Sequence, residues 1–164
     1  MATIQSGTAA PTFSLTAADG KRYSLAEALR KGPVLVAFFK VSCPVCQFTF
    51  PFLERLYEAY GDAKASFWAI SQDDAADTKE FCQEYGIKFP ALVDADGYPV
   101  SNQFGLTNVP SIFLIAPDGQ VKASSIGFSR AEIEKMNAEV ARASGKTASP
   151  VFHPGEVIPD SKPG

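Results

Sequence analysis

The stretch Val34–Pro51, VLVAFFKVSCPVCQFTFP, restricts the fold more than any other part of the chain. Val34–Phe39 is β-branched, aromatic and apolar at every position. Such a run predicts a central strand covered on both faces, because only a fully buried strand dispenses with polar alternation. A helix is predicted over 44–60. Its core face is read from Phe48, Phe52, Leu53, Leu56 and Tyr57 at helical spacing, with Gly61 as its stop. Pro44 suits the first helical turn, where its missing N–H costs nothing. Pro51 removes one backbone bond inside the helix and predicts a kink. Between strand and helix lie Cys43 and Cys46, a C-x-x-C at a helix mouth. Free N–H groups and the positive dipole end favour an anion there, and the thiolate is the reactive form of cysteine. Cys43 is therefore the candidate nucleophile and Cys46, one turn in, its partner.

The rest of the chain alternates short strands and helices. Thr12–Leu15 and Arg22–Leu25 flank an Asp19-Gly20 turn and predict an N-terminal hairpin. A short helix over 25–29 ends at Gly32-Pro33. Ser66–Ser71 reads as a second strand, followed by a helix over 75–85 that Asp73 or Asp74 caps and Gly86 ends. A short strand at 91–93, a short helix near 100–104 and an apolar strand at 109–115 come next. The last of these pairs through Pro117-Asp118-Gly119 with a strand at 121–126. A final amphipathic helix over 130–143 starts with a Ser129/Glu132 capping box. Together these give an α/β fold, a mixed central sheet with helices on both faces. A domain is expected over 1–145. A Pro/Gly-rich tail over 146–164, either packed down or loose, follows it.

Composition narrows the function. Net charge is −3 with scattered Lys and Arg, which speaks against nucleic acid and against a polybasic membrane contact. The longest apolar run is too short to span a bilayer, so no membrane segment is expected. The N-terminus has neither a basic nor an apolar leader region. The cytoplasm is therefore the expected compartment, with the periplasm as alternative if a leader has been removed before a small-residue start such as Ala2-Thr3. Cys82 is the third cysteine, and the only histidine is His153 in the tail, so no metal site is expected.

With these features in place, the chain over about residues 11–144 resembles the thioredoxin-fold, TlpA/ResA-like thiol–disulfide oxidoreductases and the wider redoxin (AhpC/TSA) group. Cys43-Pro44-Val45-Cys46 and Pro51 carry the resemblance. So do Lys88-Phe89-Pro90 before Ala91–Asp94, Val109-Pro110 before a strand, and the Ala116–Gly119 turn. The resemblance implies a thioredoxin-like three-layer fold with Pro110 as a cis-proline facing the thiols. It also implies Pro44, Val45, Val109 and Pro110 as substrate-binding residues, with Val109 offering backbone hydrogen bonds. Three positions depart from the pattern. Ser42 stands where Trp is usual before the first cysteine, Thr49 where a helix Glu is common, and Ala37 where many thioredoxins bury an Asp. Neither usual carboxylate is thus placed to take the proton of Cys46. Lys40 either favours a thiolate by its charge or points to solvent.

The implied reaction is thiol–disulfide exchange with protein disulfide or dithiol substrates and an upstream electron donor, without a cofactor. Two alternatives stand beside it. One is a peroxidase using Cys46, with Cys43 or Cys82 resolving, although P-x-x-x-T/S-x-x-C fits neither cysteine. The other is a non-catalytic binding module of the same fold. Cys82, between Phe81 and Tyr85, reads as a buried structural thiol, and Phe50 as an outward-facing part of a substrate surface.

Overall fold

The computed structural model of the chain describes residues 3–61 and 64–164. The proposed leader-cleavage start at Ala2 lies outside them. Five strands form the central sheet in the order β5-β4-β3-β6-β7. They are β3 (Val34–Phe39), β4 (Ser66–Ser71), β5 (Ala91–Val93), β6 (Ser111–Ile115) and β7 (Val121–Ile126). β3 pairs parallel with β4 and antiparallel with β6, so it lies at the centre of a mixed sheet.

Every residue of β3 is buried, and the period of two divides them between two cores. Leu35, Ala37 and Phe39 face a core built with α2 (Pro44–Tyr60), α3 (Ala75–Tyr85) and α5 (Arg130–Ala143). Val34, Val36 and Phe38 face the other core. Phe13, Leu25 of α1 (Leu25–Leu29), Trp68, and Val100 of α4 (Pro99–Gln103) with Phe104 fill it. The layers are therefore helix, sheet, helix, as expected. The N-terminal hairpin is β1 (Ser14–Thr16) with β2 (Arg22–Ser24). It starts two residues later than the sequence predicts, because Phe13 turns inward against Trp68 and Phe104.

Three further details correct or complete the reading. Asp74, not Asp73, caps α3, accepting the Asp77 N–H. β6 begins at Ser111 rather than Val109, after a cis Val109–Pro110 bond. The tail takes the packed-down form. Ser161–Lys162 is a strand, β9, antiparallel to β8 (Phe128–Ser129), and Val151 is buried in the core beside α2 and α5. No helix of the described residues is long and apolar enough to cross a membrane.

Candidate active site

Cys43 is the N-cap of α2. Its sulfur accepts the Cys46 N–H at 3.1 Å, and its carbonyl accepts the Gln47 N–H at 3.0 Å. The capping role normally taken by a Ser or Asp oxygen thus falls to a sulfur, which takes the free N–H of Cys46. Cys43 is half-buried and Cys46 wholly buried behind it. Burial raises the pKa of Cys46 most. The hydrogen bond to Cys43 and the charges of Cys43 and Asp73 raise it further, against one lowering contact from the Lys40 backbone. The two sulfurs are thereby unequal. One is half-buried and accepts a backbone N–H, and the other is held as a thiol in the interior.

The loop before Cys43 is fixed at both ends of one residue. Val41 N–H donates to Asp73 Oδ2 at 2.8 Å, and Val41 O accepts from Gln47 Nε2 at 2.9 Å. Neither Asp73 nor Gln47 stands out in the sequence. Asp73 next to Asp74 looks like one of two spare caps, and only the fold gives each a separate task. Thr49 is buried and donates to Val45 O at 2.6 Å, and Ala37 is buried beneath the pair. The absence of the usual carboxylates is therefore real at both positions. Asp73 is the acidic side chain whose charge reaches Cys46.

Opposite the thiols, the Cys43 Sγ–H donates to Val109 O at 3.5 Å. The fold thus brings Cys43, Cys46, Val109 and Pro110 together, with Pro44 exposed and Val45 half-buried at the helix mouth. A cleft of about 490 Å³ opens beside Cys43, lined by Lys40, Gln72, Tyr98, Leu106 and Val109 among others. Lys40 is exposed at its edge, so its solvent-facing alternative holds. Tyr98, 41% exposed, is the one non-glycine residue among those described with a left-handed φ (53°). Buried Asp94 holds the turn beneath it, accepting the N–H groups of Val100 and Ser101 and the Ser101 hydroxyl. An aromatic ring from a distant loop thus shares the cleft with Cys43. The sequence marks it only by its place after Gly97.

Two expected placements fail or separate. Phe50 is buried, not outward, with its ring centroid 4.7 Å from Phe39 and 5.6 Å from Phe81. The inward stripe of α2 runs through Cys46, Thr49, Phe50, Leu53, Leu56 and Tyr60, so Phe50 shares a face with the buried thiol. Cys82, expected buried, is only half-buried on α3, because it lines a second cleft with Lys79, Ile87 and Phe89. Burial, then the Glu54 carboxylate, pushes its pKa up to about 11. A peroxidatic Cys46 would have to meet peroxide through a fully buried sulfur. Among the described residues no group of three His, Cys, Asp or Glu is arranged to hold a metal.

A thioredoxin-like sheet with a dithiol at the mouth of its central helix defines the class. The AhpC/TSA family matches residues 6–124, and the chain belongs to that family. It is similar to the thiol-disulfide oxidoreductase ResA of Bacillus anthracis, with 32% identity over 76% of this chain and 71% of that protein. In fold it is similar to the thioredoxin domain of a thiol-disulfide oxidoreductase from Bacteroides vulgatus. The TM-score is 0.72 at 22% identity, over 83% of this chain and 97% of that one. A secreted disulfide oxidoreductase of Mycobacterium tuberculosis is also similar, with a TM-score of 0.66 at 22% identity, over 79% and 95% of the two chains. By family, relatives and dithiol, the chain is a thiol–disulfide oxidoreductase.

Proposed function

We propose that Cys43 is the attacking thiolate and Cys46 the resolving thiol in disulfide exchange with protein substrates. The thiolate of Cys43 attacks one sulfur of a substrate disulfide, forming a Cys43–substrate bond and releasing the other substrate sulfur as thiolate. Cys46 then attacks the Cys43 sulfur. The mixed disulfide breaks, the Cys43–Cys46 bond forms, and the second substrate thiolate leaves. The substrate gains two electrons, and the protons of the two cysteines end on its two thiols. A dithiol donor upstream returns the pair to the reduced state by the same steps in reverse. The observation that carries this assignment is the inequality of the sulfurs: Cys43 part-exposed and accepting the Cys46 N–H at the helix start, Cys46 wholly buried.

Pro44 and Val45 on one side, and Val109 and Pro110 on the other, form the surface on which the substrate chain lies. The proximity of the Val109 carbonyl to Cys43 supports that reading. The compartment sets the direction of flow. In the cytoplasm a reducing donor keeps the pair as a dithiol, and outside it the pair meets oxidised partners. Fractionation of cells making the full-length product decides between the two. The exchange itself is tested with insulin and dithiothreitol. The protein accelerates insulin reduction, and Cys43→Ser removes the acceleration. An unaccelerated reaction with the wild-type chain contradicts the proposal.

A further inference from the structure

The cleft beside Cys43 has one wall that comes from far along the chain. After α5 the tail returns across the face formed by α2 and α5. Its first half is anchored firmly. Val151 is buried, and the Phe152 ring lies 5.1 Å from Phe52. Arg55 grips the Glu156 carboxylate with two bonds of 2.8 and 2.7 Å while also donating to Val151 O. The second half is held by less, with Ile158 packed part-buried against the core and only polar or edge contacts beyond it. Asp160 O accepts the Arg130 N–H at 2.9 Å, β9 makes a two-residue ladder with β8, and the Lys162 ammonium sits 4.9 Å over the Phe48 ring. Gly127, at a left-handed φ of 75°, makes this approach possible, because a Cβ there would collide with the Lys162 carbonyl.

The segment reaches the active site. Gly164 lines the Cys43 cleft. It lies so close to Val109 that a Cβ on Gly164 would collide with the Val109 carbonyl. That carbonyl is the one that accepts the Cys43 thiol. Main chain thus already occupies the space beside the Val109 backbone where a second polypeptide would lie to reach Cys43.

We propose that Asp160–Gly164 is a strap that must lift from Val109 before an extended polypeptide can cross Cys43. Small disulfides reach the sulfur through the open cleft with the strap in place. The inference rests on Cys43 being the attacking thiol, and the strap takes no part in the bond changes. One backbone hydrogen bond, a short ladder and one part-exposed cation–π contact are weak fastenings, so the strap opens without unfolding the anchored half. Apparent affinity for a protein substrate is lowered by the fraction of molecules that are open.

The test compares kcat/KM for insulin and for oxidised glutathione. Deleting residues 160–164 keeps Val151, Phe152, Glu156 and Ile158, and raises the insulin value by roughly fivefold to tenfold while leaving glutathione within about twofold. Gly164→Val, which pushes the strap off the Val109 carbonyl without removing any residue, gives a smaller rise of the same selectivity. In a Cys46→Ser mixed disulfide with an extended peptide, the Arg130 amide loses hydrogen-exchange protection as Asp160 departs. Equal changes for both substrates, an unchanged or lower insulin value in both variants, or an Arg130 amide still protected in the mixed disulfide would each overturn the strap. Inactivity toward both substrates in full chain and variants alike would instead overturn the exchange reading beneath it.

Discussion

The two walls of the Cys43 cleft are built in opposite ways. The thiol wall is continuous with the core. β3 and the inward stripe of α2 are buried, and the Val41 peptide is fastened by Asp73 and Gln47. The tail wall is a late arrival, laid on the outside by a two-residue ladder and a lysine over a phenylalanine. Covalent exchange demands a nucleophile held within a fraction of an ångström, which burial supplies. Admission of partners of differing shape demands a wall that yields, and a surface segment with few fastenings supplies that.

The contrast can be broken at several points. The largest effect is expected at the sulfur itself. Cys43→Ser lowers the insulin turnover rate on the order of a thousandfold or more, whereas no substitution in the tail wall lowers it. A tail substitution that abolished turnover would place catalysis on the wrong wall. Next come paired truncations of aromatic rings. Phe50→Ala, behind the thiol wall, costs about 3–5 kcal/mol of unfolding free energy, while half-buried Phe152→Ala costs about 1 kcal/mol. Urea unfolding of the two variants measures both, and equal losses would remove the distinction between a core wall and an applied one.

Asp73 sharpens the thiol side. Asp73→Asn keeps an oxygen for the Val41 N–H but removes a charge that raises the Cys46 pKa. The pKa of Cys46 then falls, and resolution of a mixed disulfide at neutral pH speeds up roughly twofold to fivefold. Stopped-flow decay of the mixed disulfide reads this. Slower decay would instead make Asp73 an acceptor of the Cys46 proton.

The smallest effect belongs to Cys82. Its folded pKa of about 11 lies above the unfolded value, so folding favours the protonated thiol. Its contribution to stability is whole below the unfolded pKa of about 8.5 and is lost as pH rises from there through about 11. Cys82→Ala reduces that alkaline slope in thermal unfolding and leaves insulin turnover within about twofold. A large loss of turnover would give Cys82 a resolving role.

How much of this was legible in the sequence follows the same division. The thiol wall is written in local signals: an unbroken apolar strand, Pro44 at a helix start, and two cysteines one turn apart. Such signals report on neighbours within a few residues, and the strands and helices they imply are the ones present. Phe50 was misplaced because two aromatic stripes run along α2. One packs on Phe39 and Phe81, the other on Phe128 and Phe152, and periodicity alone does not say which is deeper. The site roles of Asp73, Gln47 and Tyr98 are not legible in the sequence, because their residue types are ordinary in loops and helices and the Asp73 partner lies 32 residues away. The tail was hardest of all. Proline and glycine hide the few positions, Val151, Phe152, Glu156, Ile158 and Lys162, by which it holds on, and a two-residue strand carries no period.

The central claim is that Cys43 attacks and Cys46 resolves. Peptide mapping by mass spectrometry of the products formed from a protein disulfide by Cys46→Ser and by Cys43→Ser tests it most directly. The account predicts a stable mixed disulfide through Cys43 in the first variant and none in the second. A mixed disulfide through Cys46 in the Cys43→Ser protein, formed as fast as that through Cys43, would contradict it.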